Sequence, residues 1–248
     1  MFLHDLAQAE IEDRLDMVKK AFTRPAIVTG HPGRWAEVIE GAVIVPDEDT
    51  LDLAPGAHDL VVHVMALHWA NDPVGQLIQC RRALVPDGLL LAVLPGGRTL
   101  NELRSCLSQA ESALRGGLSP RVLPMGDIRD LGALLQRAGF ALPVADAAVT
   151  VAEYDNLARL MHDLRHMGEA NALSARDRQP TRPALFRAAE RLYAEHFPGR
   201  QKALRASFEL LTLTGWAPAD SQPKPLRPGS AKARLADALG TDETPLPD

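Results

Sequence analysis

Two nearly continuous apolar runs constrain this chain more than any other feature: Asp59-Leu60-Val61-Val62-His63-Val64 and Leu89 to Leu94. A strand with one face in water alternates apolar and polar residues. A strand with no polar face is covered on both sides, which is the habit of parallel sheets sandwiched by helices. Between the two runs, Asp72-Pro73 reads as a helix start, with Asp as N-cap and Pro at the first helical position. Leu77, Ile78, Arg81 and Leu84 continue that helix, and Pro86-Asp87-Gly88 marks a turn before the second run. Strand, helix, turn and strand in that order make a βαβ unit with a parallel pair.

The flanking segments repeat the alternation. Ile11, Leu15, Val18 and Phe22 recur at helical spacing and predict a helix over Ala7 to Phe22, ended by Pro25. Ala26 to Val28 is a short strand, Gly30-His31-Pro32-Gly33 a turn, Arg34 to Glu40 a short helix, and Ala42 to Val45 a further strand. Asp47 to His58 is an acidic loop. Thr99 with Glu102 three positions on fits a capping box, opening a helix to about Leu114 that Gly116 and Gly117 stop. Asp127 to Ala138 is a helix capped by Gly139. Phe140 to Val151 is strand-like. Leu157, Leu160, Met161 and Leu164 mark one late helix, Pro183 to Phe197 another, and Ser207 to Trp216 a closing strand. The pattern predicts a doubly wound α/β domain over residues 1–216, with a helical insertion at about 153–200 and a Pro-rich, extended tail over 217–248.

Composition narrows the function. A net charge of -5 argues against nucleic acid as a partner. Cys80 and Cys106 suit a reducing compartment and exclude a cysteine-only zinc site. Met1 to Asp5 lacks a secretory pattern, and no apolar run approaches the roughly 20 residues of a spanning helix. A cytoplasmic protein is expected, with peripheral membrane contact left open.

His58 to Val62, Leu67 to Pro73 and Arg82 to Gly88 resemble the fourth and fifth strands of class I S-adenosylmethionine (SAM)-dependent methyltransferases. Further blocks narrow the match: Leu67-His68-Trp69-Ala70-Asn71-Asp72, Gly96 to Arg104, His166 to Asn171, Gly215 to Pro218, and Ser221 to Pro225. Together they resemble the methyltransferase-like assembly factors of respiratory complex I, over about Ala7 to Ala231. The resemblance implies a Rossmann-like SAM-methyltransferase sheet and a partner that is a complex I subunit or another protein substrate. In the mitochondrial members it implies arginine hydroxylation rather than methylation. It also implies SAM as cofactor, with Gly30, Gly33, Asp47 and Met65 as its contacts.

Two departures qualify the resemblance. The first βα turn of that fold usually reads as an acid followed by Gly-x-Gly-x-Gly. Here it reads Ile27-Val28-Thr29-Gly30-His31-Pro32-Gly33, and Pro32 supplies no N–H to a loop whose use lies in free backbone donors. The second is length. Gly30 to Asp59 spans 59 − 30 = 29 positions, whereas two βα crossovers need roughly twice that. One N-terminal βα unit is therefore expected to be absent. Val43 to Val45 is then either the second strand, with Asp47 on the ribose, or the third, with Asp47-Glu48-Asp49 beside the adenine.

Other residues carry paired readings. His63, His68 and Trp69 fall near the carboxyl end of a parallel strand, where open α/β sheets bind ligands. His68 reads as a general base or substrate contact, or as a side chain bonded to backbone; Trp69 reads as a cover for the cleft. Asn71 and Asp72 read as a helix cap. His162, Asp163 and His166 share a helix face, but with no third ligand nearby they read as a solvated surface, and no metal is expected. Pro223, Lys224, Pro225 and Arg227 form a basic extended segment that packs back on the domain or docks a partner. Three functions compete: a SAM-dependent methyltransferase-like protein of complex I assembly, an assembly chaperone that has lost SAM binding, and a small-molecule methyltransferase.

Overall fold

A computed structural model of the chain describes residues 1–223. Six strands form one sheet in the spatial order β2-β1-β3-β4-β6-β5. They are β1 (Pro25–Val28), β2 (Val43–Val45), β3 (His58–Val64), β4 (Leu84–Pro95), β5 (Ala141–Tyr154) and β6 (Leu204–Trp216). The first four run parallel, β6 is antiparallel to β4, and β5 is antiparallel to β6. The two apolar runs are neighbours in register, Leu60 opposite Leu89 and Val64 opposite Val93.

Because side chains alternate along a strand, each central strand feeds two cores. Leu60, Val62, Val64, Leu89, Leu91 and Val93 face one, against α1 (Phe2–Val18), α4 (Asn101–Arg115), α6 (Leu157–His166) and α7 (Pro183–His196). Val61, Leu90, Ala92 and Leu94 face the other, against α3 (Pro73–Ala83) and α5 (Ile128–Arg137). Helices α6 and α7 lie between β5 and β6, where the insertion is expected.

The strand order resolves the alternative left open for Val43 to Val45. It pairs directly with β1, Val45 opposite Val28, and is therefore the second strand of the winding. No strand lies outside it among the described residues. The crossover from β2 to β3 is loop, and α3 covers it: Gln76 Nε2 donates to Glu48 O at 3.0 Å, Gln79 Nε2 to Asp49 O at 3.0 Å, and Leu51 N–H to Gln79 Oε1 at 2.8 Å.

Several local expectations are corrected. Helix α1 spans Phe2–Val18, not Ala7 to Phe22; Lys19 stops it at φ 51°, and Pro25 instead opens β1. The helix expected over Arg34 to Glu40 is a single turn, α2 (Pro32–Trp35), opened by Pro32. Thr99 and Glu102 form no capping box, and the N-cap of α4 is Leu100 at φ 55°. The Thr99 hydroxyl donates to Glu209 O and accepts from Glu209 N–H, both at 3.0 Å, while Glu102 accepts from Ser207. Pro86-Asp87-Gly88 does not leave the sheet. Leu84 faces His58 and Leu89 faces Leu60, so residues 85–88 of β4 stand opposite Asp59 alone and form a bulge, with Asp87 at φ 60°.

The chain divides into Met1–Pro218 and Ala219–Asp248. In the second unit Gln222 and Ala219 exchange hydrogen bonds in a turn, N–H to O and N–H to Oε1, each 3.2 Å. Lys224, Pro225 and Arg227 of the basic segment lie outside the described residues.

Candidate functional site

The carboxyl ends of β1, β2, β3 and β4 lie side by side, because Val28 is in register with both Val45 and His63, and Val64 with Val93. Beyond β1, Thr29 N–H donates to Val45 O at 3.0 Å, and the Thr29 hydroxyl accepts from His31 N–H at 3.1 Å. These bonds bring Gly30 against Asp47: a Cβ at Gly30 would lie 3.2 Å from Asp47 Oδ1. A side chain at this position would crowd the carboxylate, so glycine eases the close approach. Gly30 is exposed and Asp47 half-buried, so the pair faces outward. Gly33 has open space where its Cβ would be, and Pro32 occupies the first position of α2. Gly30 and Asp47 are thus brought together, and Gly33 stands apart.

Met65 ends β3 in a left-handed turn at φ 49°, with its N–H on Val93 O at 2.8 Å. Its side chain is buried in the core under the strand ends. Left-handed conformation at a non-glycine residue costs of order 1–3 kcal/mol and is concentrated at functional positions.

His63 is fully buried, and its Nε2 lies 2.8 Å from Gln76 Oε1. An amide oxygen only accepts, so His63 carries its proton on Nε2. Burial pushes its pKa down to about 4, outweighing the Gln76 bond, so the ring is neutral. His4 is the same tautomer, fixed from the other nitrogen: Trp35 Nε1–H donates to His4 Nδ1 at 3.1 Å, which puts its proton on Nε2. Burial, then His31 and Arg34, lower the His4 pKa to about 4.

His68 meets neither backbone nor open solvent. Its Nε2 lies 3.1 and 3.2 Å from the two carboxylate oxygens of Glu169, and the two side chains are 3% and 14% exposed. Its Nδ1 is buried without a hydrogen-bond partner among the described residues. Glu169 follows Gly168 just beyond α6. Gly168 sits at φ 80° with its missing Cβ position 3.0 Å from the His31 ring. His31 in turn stacks edge-on to His4, ring centroids 4.6 Å apart. The segment that follows α6 thus lies on the glycine loop with one residue and grips His68 with the next.

Glu169 also borders a cavity of about 80 Å³, together with Trp69, Leu100, Leu103, Leu164 and Met125. Leu100 is held there by the loop after β4, where Arg98 N–H donates to Glu209 Oε2 at 3.0 Å. The Asp72 carboxylate caps α3 by accepting from Gly75 N–H at 2.8 Å, and Asn71 Nδ2 donates to Asp49 Oδ1 at 3.2 Å. His162 and His166 are exposed with rings 4.1 Å apart, and Asp163 accepts from the Tyr154 hydroxyl at 2.8 Å. No group of three metal-ligating side chains forms among the described residues. The spacing of single residues signals neither the His68–Glu169 pair nor the hold of Gln76 and Gln79 on the acidic loop. The only trace of the former is that both residues fall in blocks shared with a family.

The methyltransferase-domain family matches residues 16–92, from the last turn of α1 into β4. The chain is 33% identical to the arginine-hydroxylase NDUFAF5, mitochondrial, of Danio rerio over 222 residues, which cover 90% of this chain and 69% of that protein. It is 40% identical to the protein of that name in Dictyostelium discoideum over 185 residues, covering 74% of this chain and 42% of the relative. Against the rat, mouse and human proteins it spans 58%, 54% and 54% of their length. A crystal structure of a methyltransferase-like protein from Bacillus halodurans superposes with a TM-score of 0.51 at 12% identity, covering 84% of this chain and 98% of that one, and so shares the fold.

Proposed function

The chain belongs to the family of the arginine-hydroxylase NDUFAF5 proteins, and from that membership we propose that it is a methyltransferase-like assembly factor of respiratory complex I that binds SAM. The observation that carries the cofactor reading is the approach of Gly30 to the Asp47 carboxylate at the ends of adjacent parallel strands. A carboxylate after the second strand of such a sheet is placed to accept both hydroxyls of a ribose. A glycine after the first allows the ligand to lie on the backbone. These residues fit the nucleoside end of SAM. Pro32 and the contact of Gly168 on His31 narrow the room for its amino-acid end.

When bound, SAM supplies an electrophilic methyl group on sulfur. What this chain's own residues contribute is position. Asp47 and Gly30 would hold the cofactor over β1 and β2, and the loop after β4, with Trp69 and Glu169, would hold the acceptor beside it. Positioning of this kind is worth roughly 7–11 kcal/mol of barrier where the geometry is near attack. The relatives' name points to an arginine side chain as the group acted on, and a complex I subunit as its carrier completes the reading. No described helix is long and apolar enough to cross a membrane; action in a cytoplasm, with peripheral contact at a membrane, belongs to the same proposal.

Calorimetric titration with SAM tests it. The expected result is saturable heat, lost roughly tenfold or more in affinity in Asp47→Ala, the usual effect of removing a hydrogen-bonding charge. No heat at millimolar SAM overturns the cofactor and favours a second reading, a cofactor-free assembly chaperone. The seating of Gly168 on His31 across the glycine loop supports that reading.

A further inference from the structure

We propose that the cavity bordered by Trp69, Leu100, Leu103, Leu164 and Met125 receives the cationic head of the substrate side chain, and that Glu169 is the residue that selects it. The inference rests on the arginine side chain of the preceding section and assigns the subsite and the specificity-determining residue.

Size comes first. The cavity is small, about 80 Å³, which suits the end of a side chain better than a nucleoside. The walls come second. Apart from Arg121, Glu169 and Asn171 they are apolar or aromatic, which suits an aliphatic stem, and Trp69 among them is a side chain that guanidinium groups pack against.

Charge comes third. Two ionisable side chains border the cavity, Glu169 and Arg121. Arg121 is already neutralised: its Nη2 and Nε lie 2.7 and 3.2 Å from the Glu111 carboxylate, and its Nη1 donates to the Thr181 hydroxyl at 2.9 Å. Glu169 receives a single imidazole nitrogen, although a carboxylate can accept about four hydrogen bonds. A sheltered carboxylate with unused accepting capacity is costly until a donor-rich cation arrives, and a guanidinium presents a fork of donors matched to it. Arg165 borders only the outer groove, and is exposed.

Location comes last. Glu169 is bonded in sequence to Gly168, which lies on His31 of the glycine loop. Glu169 therefore borders the cavity while its neighbour touches the loop that carries the candidate cofactor contact Gly30, the kind of juxtaposition that a reaction on the side chain requires.

The test is an NMR titration of the full chain, labelled with nitrogen-15, with Nα-acetyl-arginine N-methylamide against its citrulline counterpart. The latter has the same shape and no charge. The Trp69 indole signal, assigned with Trp69→Phe, is the readout. Expected is a saturable shift with the arginine compound, at least roughly tenfold weaker with citrulline and in Glu169→Gln, since a site built for hydrogen bonding discriminates strongly against a mismatched partner. Equal binding of the two compounds by the unaltered chain overturns the proposal whatever the variant does. So does a folded Glu169→Gln that binds arginine unchanged, or the absence of any saturable shift. SAM calorimetry reports separately: heat without arginine discrimination sinks this inference alone, and discrimination without heat sinks the cofactor reading alone.

Discussion

Glu111 on α4 is 1% exposed, and a carboxylate so placed survives only with donors around it. It has them: two guanidinium nitrogens of Arg121, Arg115 Nη1 at 3.1 Å and Ser119 N–H at 3.0 Å. Burial alone would raise its pKa, but the Arg121 and Ser119 hydrogen bonds and the nearby positive charges outweigh it, and the net shift is downward. The sign follows. Stabilisation from this ion cluster is complete above the ordinary value of 4.5 and is lost as pH falls through the lowered folded value. Arg121→Ala leaves the carboxylate short of its main partner and is expected to cost about 3 kcal/mol. Urea midpoints at pH 7 give that cost. The same measurement below pH 4.5 should show the acid loss of the wild type missing from the variant; parallel pH profiles would remove Glu111 as its source.

Helix α6 shows what one capping residue does for a distant site. Asn156 accepts from Arg159 N–H at 2.9 Å, filling one of the orphan donors of the first turn, and α6 ends at the segment that carries Gly168 and Glu169. Asn156→Ala is expected to lower stability by about 1 kcal/mol without touching a candidate contact, and guanidinium denaturation measures it. Caps of this kind were legible where the partner is local. Asp72 caps the helix it precedes, as its position before Pro73 and an apolar periodic run implies, and Asp127, read as the first helical residue, is likewise the N-cap of α5. Thr99 had the same local pattern and a different partner, because Glu209 in β6 presents both a carbonyl and an N–H to its hydroxyl. The two buried central strands were legible because neither has a polar face. The start of α1 was not, since Phe2 to Leu6 lie ahead of the periodic window and are fixed by tertiary packing such as the edge-on contact of Phe2 with Phe208, 5.1 Å between centroids. For the site, Gly30 and Asp47 could be named from their places after strands, and His68 from its place after β3. Its partner Glu169 could not, because a contact between residues 101 positions apart has no period.

At the scale of the whole molecule, the shortened sheet sets where the fold is weakest. Strands β3 and β4 are flanked on both sides and lie in two cores. Strand β2 has three residues and one neighbour, and Val43 on it is 51% exposed. A short edge strand limits unwanted pairing, but it also opens locally at far lower free energy than the centre. The strand that would lie outside β2 is absent among the described residues, so what fastens this edge is Thr29 N–H on Val45 O and the hold of Gln76 and Gln79 on the loop beyond Asp47. A ligand spanning Gly30 and Asp47 would tie the ends of β1 and β2 together and stabilise the state in which they are paired. At a hundredfold excess over its dissociation constant the linkage amounts to about 2.7 kcal/mol, a roughly hundredfold slowing of exchange through that opening. Hydrogen exchange read by mass spectrometry should therefore find residues 43–47 among the fastest strand amides in the free chain and slowed by SAM together with residues 29–31. Protection by SAM confined to other segments would place the cofactor elsewhere on the sheet. An edge as well protected without ligand as β3 would mean that the loop from Asp47 to Ala57 fully replaces the unit the fold has dispensed with.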